Sequence, residues 1–140
     1  MTRDDVLAVL ERRNDALARR DWATFREVYA DDARAHSPLT GSSQGPDAIV
    51  QAIQVFFVAF PDIVVVDEPA IVDGDRAVII GEVSGTHHGG ILGLPPSGRA
   101  FRFLIAQAFV LRDQRIVEER RVYDFTGLLV QIGVLKAKPA

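Results

Sequence analysis

Asp124 ends the run Arg120-Arg121-Val122-Tyr123-Asp124, and a carboxyl at the end of a long strand is a candidate acid/base. The turn that precedes this strand sets its neighbours. If Asp113-Gln114 is a two-residue hairpin loop joining Arg99–Leu111 to Ile116–Asp124, Arg112 faces Arg115 and each later pair follows in step. Gln107 then lies opposite Arg120, Ile105 opposite Val122 and Phe103 opposite Asp124. Opposed side chains share a face, with Cβ atoms about 5 Å apart, so these six form one surface. A slip of one residue would break the set. Arg120 stands four positions before Asp124, about 13 Å along an extended strand, so a salt bridge between them is not imposed. Beside Phe103 and Val122, the Asp124 carboxyl would titrate above its usual value of about 3.9, in the direction useful for proton transfer. The competing reading is structural: Asp124 caps a final helix through the amides of Thr126 or Gly127. The opposite face offers Leu104, Ala106, Ala108 and Val110 against Tyr123, Arg121, Glu119 and Val117.

Other chemistry-bearing residues are sparser. Adjacent strand residues face opposite ways, and no Asp, Glu or Cys sits at helper spacing, so His87-His88 does not read as a metal site. His87 is placed instead at an entrance loop, and His36, before Ser37-Pro38, at a strand position that can reach a cavity. Ser37 and Ser84 lack the elbow context of a serine nucleophile. The glycines at Gly89, Gly90 and Gly93 are not followed by a helix start with Lys-Ser/Thr, so they are no phosphate loop. No cofactor and no metal are expected. A net charge of −3 over 140 residues offers no basic footprint for nucleic acid. No run approaches the roughly 20 apolar residues of a membrane span, and cysteine is absent. The expectation is a cytoplasmic protein with no membrane partner.

The elements that position these residues follow from periodicity. Val6, Leu10 and Leu17, with Leu7 and Val9 beside them, mark an amphipathic helix from about Arg3 to Arg19 with Thr2 as its cap, and Asn14 falls on its apolar stripe. A short helix from Trp22 to Tyr29 is capped by Asp21, Arg34 to Pro38 reads as a brief strand, and LTGSSQGP as a loop. A third helix starts at Pro46, presents Ile49, Ile53, Phe56, Phe57 and Phe60, and stops at Pro61. Strands follow at Ile63–Val72 and Arg76–Ser84 around the Asp73-Gly74 turn, then the long hairpin, then a helix from about Thr126 to Leu135. Helices first and strands after predict a single α+β domain over residues 1–140, with N-terminal helices covering one face of a curved, mainly antiparallel sheet.

The run GTHHGGILGLPPSGR, the strand end RRVYD and the helix FTGLLVQIG after it resemble the SnoaL-like polyketide cyclases. The AHSP strand and the GPDAIVQAI helix match more loosely. The resemblance implies the cone-shaped α+β barrel shared with ketosteroid isomerase, scytalone dehydratase and limonene epoxide hydrolase, enclosing a hydrophobic pocket. It also implies that Asp124 is the catalytic acid/base. Gln107 stands where the aldol cyclase has an assisting histidine, and an amide donates a hydrogen bond but shuttles no proton near neutral pH.

The expected function is therefore cofactor-free acid/base chemistry, of intramolecular aldol type, on a hydrophobic polyketide-like carbonyl compound. Asp124 would move the proton, and Gln107 with Arg120 would hydrogen-bond the developing oxyanion. Phe56, Phe60, Phe101 or Phe103, and Phe109 are the expected apolar walls, with Ile105, Val122, His36 and His87 at the substrate. One alternative is epoxide hydrolysis or epoxide-opening cyclisation, with an inward Glu82 as second carboxylate. Another is a non-catalytic binder of a lipophilic metabolite. A homodimer or higher homo-oligomer formed through the sheet is expected, with Tyr123, Arg121 and Glu119 as a polar interface.

Overall fold

The first helix begins where local chemistry says it should. The Thr2 hydroxyl accepts from the Asp5 amide at 3.1 Å while the Asp5 carboxylate accepts from the Thr2 amide at 2.8 Å, a reciprocal cap that opens α1 (Arg3–Arg19). Asp21 accepts from the Thr24 amide and opens α2 (Trp22–Glu27). Strand β1 (Tyr29–Ser37) is longer than the expected Arg34–Pro38 and pairs with β2 (Gly41–Gln44), so part of the expected LTGSSQGP loop is a strand. Helix α3 (Pro46–Ala59) has Pro46 in its first turn, where a missing N–H leaves nothing unsatisfied.

The β-branched stretch expected as one strand over Ile63–Val72 is two: β3 (Val64–Asp67) and β4 (Ile71–Asp73). Pro69 interrupts it because it has no N–H for the ladder. Both pair with β5 (Arg76–Thr86), which continues through β6 (Ala100–Arg112) and β7 (Arg115–Tyr123) to α4 (Phe125–Gln131). The strand order is β2-β1-β7-β6-β5-β3, antiparallel throughout except that β1 runs parallel to β7. The sheet is curved and unclosed, and the helices pack on its concave face, an α+β fold as expected. The computed structural model describes residues 1–136. No helix among them is long and apolar enough to cross a membrane.

The β6–β7 hairpin decides which side chains face the helices. Its loop is the expected one: Asp113 and Gln114 both take positive φ, 51° and 61°, the backbone of a type I′ turn. Arg112 pairs with Arg115 and Leu111 with Ile116, but Val110 pairs with Glu118. Val117 is therefore an extra residue, a β-bulge, and beyond it the register moves by one. Gln107 faces Arg121 rather than Arg120, and Ile105 faces Tyr123 rather than Val122. The burial alternation changes phase at the same place: Ile116, Glu119, Arg121 and Tyr123 are all buried, whereas Arg120, Val122 and Asp124 lie on the outside. The expected surface of Gln107, Arg120, Val122 and Asp124 does not exist. Glu119, Arg121 and Tyr123, expected as an outward polar interface, point inward.

The bulge yields a test. Deleting Val117 would leave a regular ladder in which Glu118 still faces Val110 and Glu119 still faces Phe109, so Glu119, Arg121 and Tyr123 stay inward, whereas deleting Arg120 would move Glu119 out of phase with Arg121 and Tyr123. We expect the Val117 deletion to retain cooperative urea unfolding and near-ultraviolet dichroism and the Arg120 deletion to abolish both, whereas Arg120→Ala, which keeps the residue count at an exposed position, retains them.

Candidate active site

Under helices α1 and α3 the concave face encloses a cavity of about 370 Å³. This is within the range of small-molecule sites. Its walls are mostly apolar: Ile53, Phe56 and Phe57 from α3, Leu17 from α1, and Val83, Phe103 and Ile105 from the sheet. Phe101, Phe103 and Tyr123 stack along the inner face, with ring centroids 5.7 and 4.9 Å apart, and Phe56 meets Tyr123 edge-on at 5.8 Å. Offset and edge-on aromatic pairs of this kind add about 0.5–1.5 kcal/mol each to burial.

The floor is polar and charged. Arg13, on the buried side of α1 and only 1% exposed, donates through Nε to Glu119 Oε1 and to the Tyr29 hydroxyl, each at 3.0 Å. It also donates through Nη1 to Asn14 at 2.8 Å and through Nη2 to Gln107 Oε1 at 3.1 Å. The guanidinium lies between the rings of Phe25 and Phe109, at 5.3 and 5.0 Å from their centroids. Tyr29 in turn donates to Glu119 Oε1 at 2.6 Å. Burial opposes the Glu119 charge, but Arg13, Arg121 and the Tyr29 hydrogen bond together hold its carboxyl below the usual range. Burial also pushes the Tyr29 phenol up, so it remains a donor.

Two further groups are set by this cluster. A guanidinium has no acceptor, so Gln107 must turn its oxygen to Arg13, leaving its amide nitrogen free to donate. Arg121 Nε lies 2.9 Å from Glu119 Oε2 as an ion pair, but the two atoms point off line and neither completes a hydrogen bond. Burial pushes the Tyr123 phenol up to about 12, partly opposed by the Leu39 amide, Arg121 and Ser37.

Asp67 is the one carboxylic acid among the lining residues. It sits on β3 at the open edge of the cavity, opposite Gly81. A Cβ on Gly81 would collide with Asp67 Oδ1, so the glycine makes room for the carboxyl over β5. Part of the side chain remains in solvent, yet burial against the cavity raises its pKa above the ordinary value, with the Arg13 charge pulling partly back. No cation lies within ion-pairing distance of it among the described residues. An acid in this setting can exchange a proton with a ligand.

Sequence comparison gives the family. The model of the SnoaL-like polyketide cyclases matches residues 8–132. The chain belongs to that family. Solved structures agree in fold. AclR from Streptomyces galilaeus, a candidate hydroxylase, superposes with a TM-score of 0.83 at 22% identity over 99% of this chain and 91% of that one. IdmH from Streptomyces antibioticus, a candidate polyketide cyclase, gives 0.78 at 27% identity over 91% and 98%. TsrD from Streptomyces laurentii gives 0.83 at 26% identity over 96% and 99%. A comparison with curated proteins found no match.

Within this SnoaL-like chain the sequence-derived candidates separate. Gln107, Phe56, Phe103 and Ile105 line the cavity. Phe109 supports Arg13 from below, and Phe60 is buried outside the cavity lining, its ring centroid 4.4 Å from that of Phe101. Arg120 is on the outer face, 3.3 Å from Glu118, and Val122 is 65% exposed there. His36 is exposed, with Nδ1 3.2 Å from the Ser42 hydroxyl. His87 is buried away from the cavity, where Nδ1 accepts from the Ser97 amide at 3.1 Å and holds the glycine-rich loop. Asp124 is exposed rather than set among apolar side chains, and its Oδ1 accepts from the Gly127 amide at 2.8 Å to cap α4.

Sequence reasoning missed Arg13, Tyr29, Asp67, Glu119, Arg121 and Tyr123 as site residues. Arg13 carried a signal, since it continues the apolar stripe of Val6, Leu10 and Leu17 where a solvated arginine would not be placed. Asp67 carried a weaker one, as the only charge in the run Ile63 to Asp67.

Two variants check these roles. Glu119→Gln leaves two buried guanidinium groups with no carboxylate and should lower stability by about 3–5 kcal/mol in urea unfolding. The wild-type advantage should shrink as pH falls through the depressed Glu119 pKa, because protonation removes the same charge. Asp124→Ala should lower stability by about 1 kcal/mol, the usual loss of a helix cap, without altering ligand binding in the cavity, read by calorimetric titration.

Proposed function

We propose that this protein is a cofactor-free acid/base enzyme acting on a hydrophobic, polyketide-like carbonyl compound, with Asp67 rather than Asp124 as the proton-transferring group. The supporting observation is Asp67 itself: an exposed carboxyl at the edge of an apolar cavity, its pKa raised by partial burial and pulled back only in part by Arg13, with no ion-pair partner among the described residues. In the ionised state it takes a proton from the carbon beside a substrate carbonyl. The C–H electron pair moves into the new carbon–carbon double bond and the carbonyl oxygen becomes an enolate oxygen, which accepts from the Gln107 amide nitrogen. The enolate carbon then attacks a second carbonyl of the same molecule, and the Asp67 proton passes to the alkoxide that forms. Protons and electrons balance with no external reactant. The aromatic wall of Phe56, Phe103 and Tyr123 suits a flat ring system.

The epoxide-opening alternative has less support. Its second carboxylate, Glu82, lies on the outer face, 3.4 Å from Arg102.

The test is solvent deuterium exchange at the α-carbon of α-tetralone, a bicyclic aryl ketone, followed by NMR with the full chain. Asp67→Asn should slow catalysed exchange by roughly 100- to 10,000-fold. The same variant should be more stable than wild type at neutral pH. Burial raises the folded-state pKa of Asp67, so its ionisation opposes folding, and the wild type loses stability as pH rises from about 4 through that pKa. Urea midpoints of variant and wild type should therefore coincide near pH 3 and diverge toward pH 7. Unchanged exchange in Asp67→Asn would remove the assignment.

A further inference from the structure

We infer that the inner end of the cavity is an anion subsite, formed by Arg121 and Gln107, so that the ligand enters as a planar monoanion: an ionised enol, phenol or hydroxyquinone on an apolar ring body. This deepens the acid/base reading, and rests on it for what becomes of the bound anion.

The floor is a buried ionic network with more cation than anion. Arg13 and Arg121 are 1% and 5% exposed, and the carboxylate between them, Glu119, is fully buried. Arg13 is engaged at each of its three nitrogens, by Glu119, Tyr29, Asn14 and Gln107. Arg121 is not: it pairs with Glu119 off line, its Nε has no hydrogen-bond partner, and it lines the cavity. A buried charge is retained where something completes it, and no further partner for Arg121 is present among the described residues. Asp67 cannot do so from β3, because strands β5 and β6 lie between it and β7.

Gln107 reinforces the sign of the site. It lies directly opposite Arg121 in the β6–β7 ladder, and Arg13 holds its amide oxygen, so the end that remains available is a donor. Donor and guanidinium side by side, about 5 Å apart across the ladder, match one ionised oxygen or two neighbouring oxygens of a conjugated acid. Phe103, Ile105 and Tyr123 flank this pair with apolar surface, which excludes a small hydrated ion in favour of an anion carried by a ring system.

The experiment compares lawsone, a hydroxynaphthoquinone ionised at neutral pH, with its methyl ether, by calorimetric titration of the full chain. The wild type should bind the anion roughly 10- to 100-fold more tightly than the ether, the worth of one charge-assisted hydrogen bond. Arg121→Gln, in which Glu119 keeps Arg13 and Tyr29, should lose that preference while binding the ether as before. Gln107→Glu, which puts a carboxylate where the anion would sit, should also lose it and decides the matter if Arg121→Gln does not melt cooperatively. Equal binding of acid and ether by the wild type, or a preference that survives in the folded variants, overturns the subsite. The Asp67→Asn variant separates the two readings. A retained anion preference with undiminished deuterium exchange leaves the subsite and removes the base, and a lost exchange with no anion preference in the wild type does the reverse.

Discussion

The burial of Arg13 against Glu119 is the constraint on which the other arrangements depend. A guanidinium taken out of water must find donor-matched acceptors on every side, and Arg13 finds them on α1, β1, β6 and β7 at once. That requirement seats α1 over the sheet in one rotation. Phe25 and Phe109 close above and below it, which converts a charged side chain into part of the apolar core. Such a pair adds little net stability compared with a hydrophobic replacement. Its effect here is geometric, because it orients the Gln107 amide and places the second cation, Arg121, beside it.

Much of the fold is legible in the residues, and the site is legible in part. Helix starts were readable because caps are local: Thr2 with Asp5, Asp21 with Thr24, and Pro46 each act within one turn. The hairpin turn at Asp113-Gln114 was readable for the same reason. The bulge at Val117 was not. In Ile116 to Tyr123 both alternating sets mix apolar and charged residues, so the pattern holds no preference for one phase, and the phase is settled by where Glu119 meets Arg13. An error of one residue therefore exchanged Arg120, Val122 and Asp124 for Arg121 and Tyr123. Gln107, Phe103 and Ile105 survived because they lie on β6, whose burial alternation is unbroken from Phe101 to Leu111.

The RRVYD–FTG motif shows why a resemblance carried by local sequence needs geometry beside it. Asp124 and Gly127 are mutually determined: the carboxyl accepts the Gly127 amide, and a Cβ at Gly127 would collide with that carboxyl. The motif thus encodes a strand-to-helix junction, and the acid in it is accounted for by capping. Asp67 has no such local explanation. It faces Gly81 across a ladder, and the missing side chain on β5 is the space its carboxyl uses. A partly exposed acid at the cavity edge, for which the neighbouring strand makes room, is the observation behind the proposed proton-transfer role.

The cavity is polarised along its length. Arg13, Arg121 and the oriented amide are at the inner end, where water is excluded and their field is strongest, while a third lining guanidinium, Arg20, is only partly buried. The acid is at the open edge and exposed, where a proton gained or lost can be exchanged with solvent. An unpaired carboxylate at the floor would collapse onto Arg121, and the partly buried Arg20 guanidinium is instead taken up by the Ile63 carbonyl and the Phe57 ring. The order of charge from floor to mouth follows from the register set at Val117 and the pair formed at Arg13, so a feature of backbone pairing in one hairpin determines the electrostatics that a ligand meets.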